Sequence, residues 1–260
     1  MSFTVTAMLY SAALLMGMLI CMEAGRRLGV RRVAMDREWA LSGLSVVETA
    51  VFGLYGLLLA FTFSGAPARL DVRKQLVADE ANAIFTAWLR LDLLPAGSRP
   101  GMRRLFRQYL DSRLEVYEEP TDIEAAKKTL AKSSTLQDNI WVEAVACTRL
   151  PGAHEDAAKL LLPALNQMID ITTTRTNATL IHTPLVIYVL MLFLALVCSL
   201  LAGYSMARDK HRSWLHIAAF ATVTAISVYA FLEIEYPRVG LLRLLGASDQ
   251  LMIALRERMQ

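Results

Sequence analysis

The fold class this sequence predicts is all-α: a polytopic membrane protein with four transmembrane helices and a helical extramembrane insert between spans two and three. Three observations predict it. The 260 residues are 55% apolar, above the roughly 45–50% of soluble domains. Four runs reach the about 20 apolar residues that a helix needs to cross a bilayer: Thr4–Met22, Leu41–Ser64, Leu185–Met206 and Trp214–Glu235. Between the second and third runs, apolar residues recur at threes and fours, with no strand-like alternation.

Span one has no basic residues before it and the cluster GRRLGVRR after it, which reads as a membrane anchor and not as a cleaved signal peptide. Span two leads without a break into a charged helix, where Leu70, Val77, Ala81, Ile84, Trp88 and Leu91 mark one face. At 1.5 Å per residue a helix of about 28 residues extends roughly 40 Å, so the charged stretch reads as a stalk carrying span two into water. Pro95 and Gly97 stop it. A second insert helix fits Pro100–Glu119 and ends at Pro120. Thr121-Asp122-Ile123-Glu124 forms a capping box that opens a third, towards Arg149. Pro151-Gly152 breaks again, and a fourth runs from about His154, bent at Pro163, to His182-Thr183-Pro184 at the start of span three. Span three is free of charge; span four is diluted by Thr222, Thr224 and Ser227 and closes on Glu233 and Glu235. The tail after Arg238, with LLRLL and LMIALRERM, suits a short amphipathic helix in the membrane interface. The expected divisions are 1–65 (spans one and two), 66–180 (insert), 181–237 (spans three and four) and 238–260 (tail).

Orientation rests on arginine and lysine. Arg26, Arg27, Arg31, Arg32 and Arg37 in loop one, with Arg208, Lys210 and Arg212 in loop three, place those loops in the cytoplasm and the insert outside the inner membrane. Arg69, Arg73, Lys74, Arg238 and Arg243 pull the other way.

Several function classes are excluded by pattern. The insert holds 15 Lys+Arg and 15 Asp+Glu, and so lacks the net basic surface that nucleic acid requires. There is no GxxxxGK[ST], HExxH or GxSxG motif, so the chain reads as no enzyme and needs no cofactor. The four histidines and three cysteines show no metal-ligand spacing; Cys21, Cys147 and Cys198 read as small apolar side chains. The acidic group Glu115, Glu118, Glu119, Asp122 and Glu124 lacks the spaced loop of a calcium site and reads as a solvated surface.

Span two is the most informative segment. Ser42, Ser45, Thr49, Gly53, Gly56, Ala60 and Ser64 form a stripe of small residues, read as a packing face. Beside it lie Glu48, Phe52, Tyr55 and Leu59. A carboxylate inside a span costs about 2.5–3.5 kcal/mol near the bilayer centre, so Glu48 faces protein or water. It is a hydrogen-bonded or protonated group among helices, or it meets a lipid headgroup, or this face is a pore wall. In a symmetric oligomer the wall would carry a cation-favouring carboxylate ring, with Phe52 and Tyr55 as a constriction. In the stalk, Asp79, Asn82 and Arg90 share a polar face, with Arg73 and Glu80 on a neighbouring one. They form either a solvated surface or a buried polar network. Glu233, Glu235 and Arg238 close span four near the stalk's base, either as an interfacial cap or with Arg69 or Arg73 as a partner.

The blocks FTFSGAPARLDVRKQLVADEANAI, WLRLDLLP, LNQMIDITTTR (Leu165–Arg175) and EIEYPRVGLLRL (Glu233–Leu244) together resemble the bacterial bestrophin-like membrane family. That resemblance implies two spans, a helical insert and two more spans. It also implies kinship with bestrophins, homopentameric anion channels whose second span lines a neck and whose insert is cytoplasmic. Their arginine-phenylalanine-proline and calcium-clasp motifs have no counterpart here, so anion selectivity and calcium gating are not carried over. The expectation is a homo-oligomeric ion channel in the lipid bilayer, lined by span two and passing an inorganic ion. Its rival is a membrane-anchored sensor or adaptor whose insert binds a partner and which has no pore.

Overall fold

The computed structural model describes residues 3–35, 44–116, 123–208, 214–242 and 244–260. The capping-box residues Thr121 and Asp122, together with Arg37, Ser42, Glu118, Glu119, Lys210, Arg212 and Arg243, lie outside the described residues. Among those described, the chain is all-helical: α1 (Phe3–Met35), α2 (Leu44–Arg90), α3 (Arg99–Glu115), α4 (Ile123–Cys147), α5 (Ala157–Leu180), α6 (Leu185–Ser205), α7 (Trp214–Glu235) and α8 (Gly246–Arg258). Stretches within 3–35, 46–93, 157–205 and 215–235 are long and apolar enough to cross a membrane. Span two and the stalk are one helix of 47 residues, and Pro67 sits inside it without ending it, as Pro163 does in α5. Each proline removes one backbone hydrogen bond. Gly152, after Pro151, takes a φ of 88°, a left-handed conformation open to glycine, and turns the chain between α4 and α5.

The chain divides into two compact units: Met1–Arg69 with His182–Leu242, and Leu70–Ile181 with Arg243–Gln260. In the first, α1 packs along α6 and α7. Leu14, Met18, Tyr55, Met191, Ala195, Cys198, Ala221 and Val228 are buried together. Gly25 and Gly203 bring α1 and α6 into backbone contact. A Cβ on Gly25 would lie 2.0 Å from the carbonyl oxygen of Leu200, and one on Gly203 1.9 Å from that of Met22. Small residues allow such an approach between membrane helices.

The second unit is built around Ile84, Trp88, Met102, Phe106, Leu110, Ile140, Leu161 and Met168, all buried. Burying side chains of this size contributes about 1.5–3 kcal/mol each. Trp88 meets Phe106 edge-on at 6.2 Å, and the Arg103 and Arg107 guanidiniums cover its ring at 5.4 and 5.9 Å. The tail, expected in the membrane interface, instead forms α8 and buries Met252, Leu255 and Met259 in this core. Its apolar stripe finds protein, and the expected 238–260 segment is divided at Leu242.

Candidate functional site

The membrane part of α2 is the least enclosed of the four spans. Of its apolar window 11% is buried, against 28% in the first and third and 39% in the fourth. Glu48 is half-buried and accepts a hydrogen bond from Ser205 of α6. Phe52 tilts against Phe220 of α7 at 5.6 Å. Tyr55 is 4% exposed, and Leu59 packs against the same core. Within the single chain, then, these four side chains turn towards α6 and α7. The small stripe, expected as the packing face, is the open one: Thr49, Gly53, Gly56, Ala60 and Ser64 are exposed. A Cβ on Gly53 or Gly56 would meet nothing within 4 Å. The open side of α2 also carries Leu54, Leu57 and Phe61, each more than half exposed.

At the end of α7, Glu235 is fully buried. It accepts Arg69 Nη2 at 2.6 Å and the Thr183 backbone amide at 2.8 Å, and His182 Nδ1 lies 3.4 Å away. Arg69 also donates to Thr183 Oγ1 at 2.5 Å. Glu233 accepts the Tyr229 hydroxyl at 2.8 Å and the amides of Leu241 and Leu242 at 3.0 and 3.1 Å. Arg238 follows in the same turn, half-buried. Of the two partners within reach of this group, Arg69 makes the ion pair. Arg73 instead donates to the Ala178 and Ile181 carbonyls at the end of α5, where cations satisfy orphan helix carbonyls.

Glu80 lies in the centre of the second unit, with no exposed surface. Arg113 of α3 donates to it from Nε at 2.6 Å, and Arg175 of α5 donates from Nη1. Asp249 of α8 stands 3.7 Å from Arg175. Beside them, Tyr109 shares a hydrogen bond with Thr172 at 2.8 Å and receives one from Gln137 at 3.1 Å. Burial pushes the Glu80 carboxyl up, but the charges of Arg113 and then Arg175 override it and hold the carboxyl below the usual range. Burial, helped by the charge of Glu80, pushes the Tyr109 phenol up to about 12. Held by two guanidiniums, Glu80 ties α2 to α3 and α5.

The stalk's polar residues thus separate. Asp79, Asn82 and Thr86 line a cavity of about 690 Å³ with Asn166, Gln167 and Asp170 of α5. Among the described residues no basic side chain lines it. Arg90 donates to the Leu160 carbonyl at 2.5 Å. Among the described residues no group of three or more His, Cys, Asp or Glu is placed to hold a metal ion.

Arg113 and Arg175 escaped notice in the sequence, yet a signal existed. Met102, Phe106, Tyr109 and Arg113 keep one helical face, as do Leu161, Met168, Thr172 and Arg175, and Val77, Glu80 and Ile84. Three charges at core positions of three apolar stripes imply a shared buried network. The Gly25-x-x-x-Gly29 spacing was a similar signal for the α1–α6 contact.

No curated protein and no solved structure matches the chain. The family model of the bestrophin-like domain matches residues 26–244, which takes in the whole insert and spans two to four. The chain belongs to the bestrophin-like family.

Proposed function

We propose that the protein is a homo-oligomeric ion channel of the inner membrane, with α2 of each copy lining the path and an inorganic cation passing along it. The family is consistent with a membrane channel. The observation that carries the reading is the open face of α2, whose backbone is bare at Gly53 and Gly56 while every other span encloses more of itself. One protomer has too few helices to surround water, so copies of the same helix must complete the wall; kinship with bestrophins suggests five. In this arrangement Glu48 and Phe52 border the open face, and Tyr55 supports it from behind. The cation preference follows from Glu48 and from the cavity lined by Asp79 and Asp170, whose described lining holds no basic side chain. The basic loops favour an extracytoplasmic insert.

Reconstituted flux under ion gradients, together with the mass of the purified complex, tests this reading. The expected result is an oligomer that conducts, with Glu48→Gln moving selectivity towards anions. A clean monomer across mild detergents, or unchanged selectivity in Glu48→Gln while the wild type conducts, overturns the corresponding part. For sidedness, Ser134→Cys in a cysteine-free background labels from outside intact cells; labelling only after permeabilisation reverses the orientation. A second reading, a membrane-anchored adaptor without a pore, draws support from the inward packing of Tyr55. Absence of flux from a well-folded oligomer would favour it.

A further inference from the structure

The polypeptide passes between its two units three times: at Arg69/Leu70 inside α2, at Ile181/His182 before α6, and at Leu242/Arg243 after α7. On the side of the first unit, all three crossings are bound to one place. Glu235 holds Arg69, from the first crossing, and the Thr183 amide and His182, from the second. Glu233, two residues earlier, holds the amides of Leu241 and Leu242, from the third. Gly240 leaves room for the Glu233 carboxylate against those amides, since a Cβ there would press on its Oε2. His182 is further fixed by stacking on Tyr236 at 4.7 Å.

Two buried carboxylates in one helical turn are not what bundle packing alone requires. A buried charge pair is often no more stabilising than apolar residues of the same volume, and a buried carboxylate without partners is costly. What these two add is directional attachment. They bind specific backbone amides and one guanidinium, each beside a point where the chain leaves the unit. We propose that Glu233 and Glu235 form a clasp that makes the three crossings move as one, so that a displacement of the insert reaches α2, α6 and α7 together.

The test is hydrogen–deuterium exchange of the full chain in lipid nanodiscs, read on peptides covering 66–72, 180–186 and 238–244. Each of Glu235→Gln and Glu233→Gln is expected to raise exchange at all three crossings by about tenfold, the effect of losing one charge-assisted hydrogen bond. The cores of α3 and α6 should stay protected. A rise confined to the crossings that the substituted residue itself touches, the first two for Glu235 and the third for Glu233, overturns the proposal, since the carboxylates would then be two independent caps. No rise at any crossing overturns it too. Should Glu235→Gln fail to fold, Glu235→Asp keeps the charge but withdraws it by one methylene, and the same three-site pattern is expected at smaller amplitude. Flux supplies a separate arm: Glu235→Gln should alter the conducting fraction while leaving selectivity unchanged. If the wild type does not conduct, the channel reading fails, and the exchange pattern still decides the clasp.

Discussion

Where α1 meets α6, Gly25 and Gly203 let the backbones touch. Where helices meet in the insert, Trp88, Phe106, Leu110 and Met168 fill the space, and Gly97 and Gly101 have nothing within 4 Å of a would-be Cβ. The difference follows from the solvent. Lipid chains are as apolar as leucine, so membrane helices gain little by hiding large side chains from lipid and associate through close packing and polar contacts. The insert can use the hydrophobic effect, and large side chains serve it best. Buried carboxylates occur in both units: Glu235 pairs with one guanidinium, Arg69, whereas Glu80 is clamped by two drawn from other helices.

The largest expected effect lies in the insert. Glu80→Gln removes the carboxylate that Arg113 and Arg175 share, leaving Asp249 3.7 Å from Arg175, and should cost about 3–5 kcal/mol, read as a lower unfolding midpoint of the insert with the spans unaffected. A loss below about 1 kcal/mol would mean that Asp249 and water replace Glu80, and would weaken the contrast between the units.

Next comes the span contact. Gly203→Ala puts a methyl group into the Met22 carbonyl and should destabilise the membrane unit by about 1–3 kcal/mol. Gly101→Ala, in the open on α3, should stabilise the insert by about 0.5–1 kcal/mol. Thermal unfolding of both variants in one detergent sharpens the comparison, since the same change is expected to carry opposite signs in the two units.

Acid should act on the insert through Glu80. Its carboxyl is held below the ordinary value in the folded chain, so its contribution is complete above the unfolded value of about 4.3. That contribution is lost as pH falls from there through the folded value. A stability–pH profile should therefore drop on the acid side, and the part due to Glu80 should vanish in Glu80→Gln.

The smallest effect concerns the exposed pair Arg256–Asp111, 2.7 Å apart. Arg256→Ala should cost under about 1 kcal/mol, less at high salt. A larger loss would show that α8 is held to the insert by charge more than by Met252, Leu255 and Met259.

The sequence by itself determined the helices. Apolar runs of spanning length, threes-and-fours periodicity in the insert, and breaks at Pro95 and at Pro151-Gly152 are local properties of the chain, set by backbone geometry and transfer from water. For the end of span four the sequence left an interfacial cap and a partner in Arg69 or Arg73 open, and the choice of Arg69 came from the tertiary structure. Only the tertiary structure decided which face of α2 stays open. Periodicity identifies a face, but lipid and protein are both apolar surroundings, so hydropathy cannot tell one from the other. It also decided the partners of Glu80, since Arg175 is 95 residues away along the chain and local pattern carries no information about which distant helix a buried charge will meet. The tail's docking on the insert was set in the same way: an amphipathic stripe specifies that it will be covered, and the surrounding fold specifies by what.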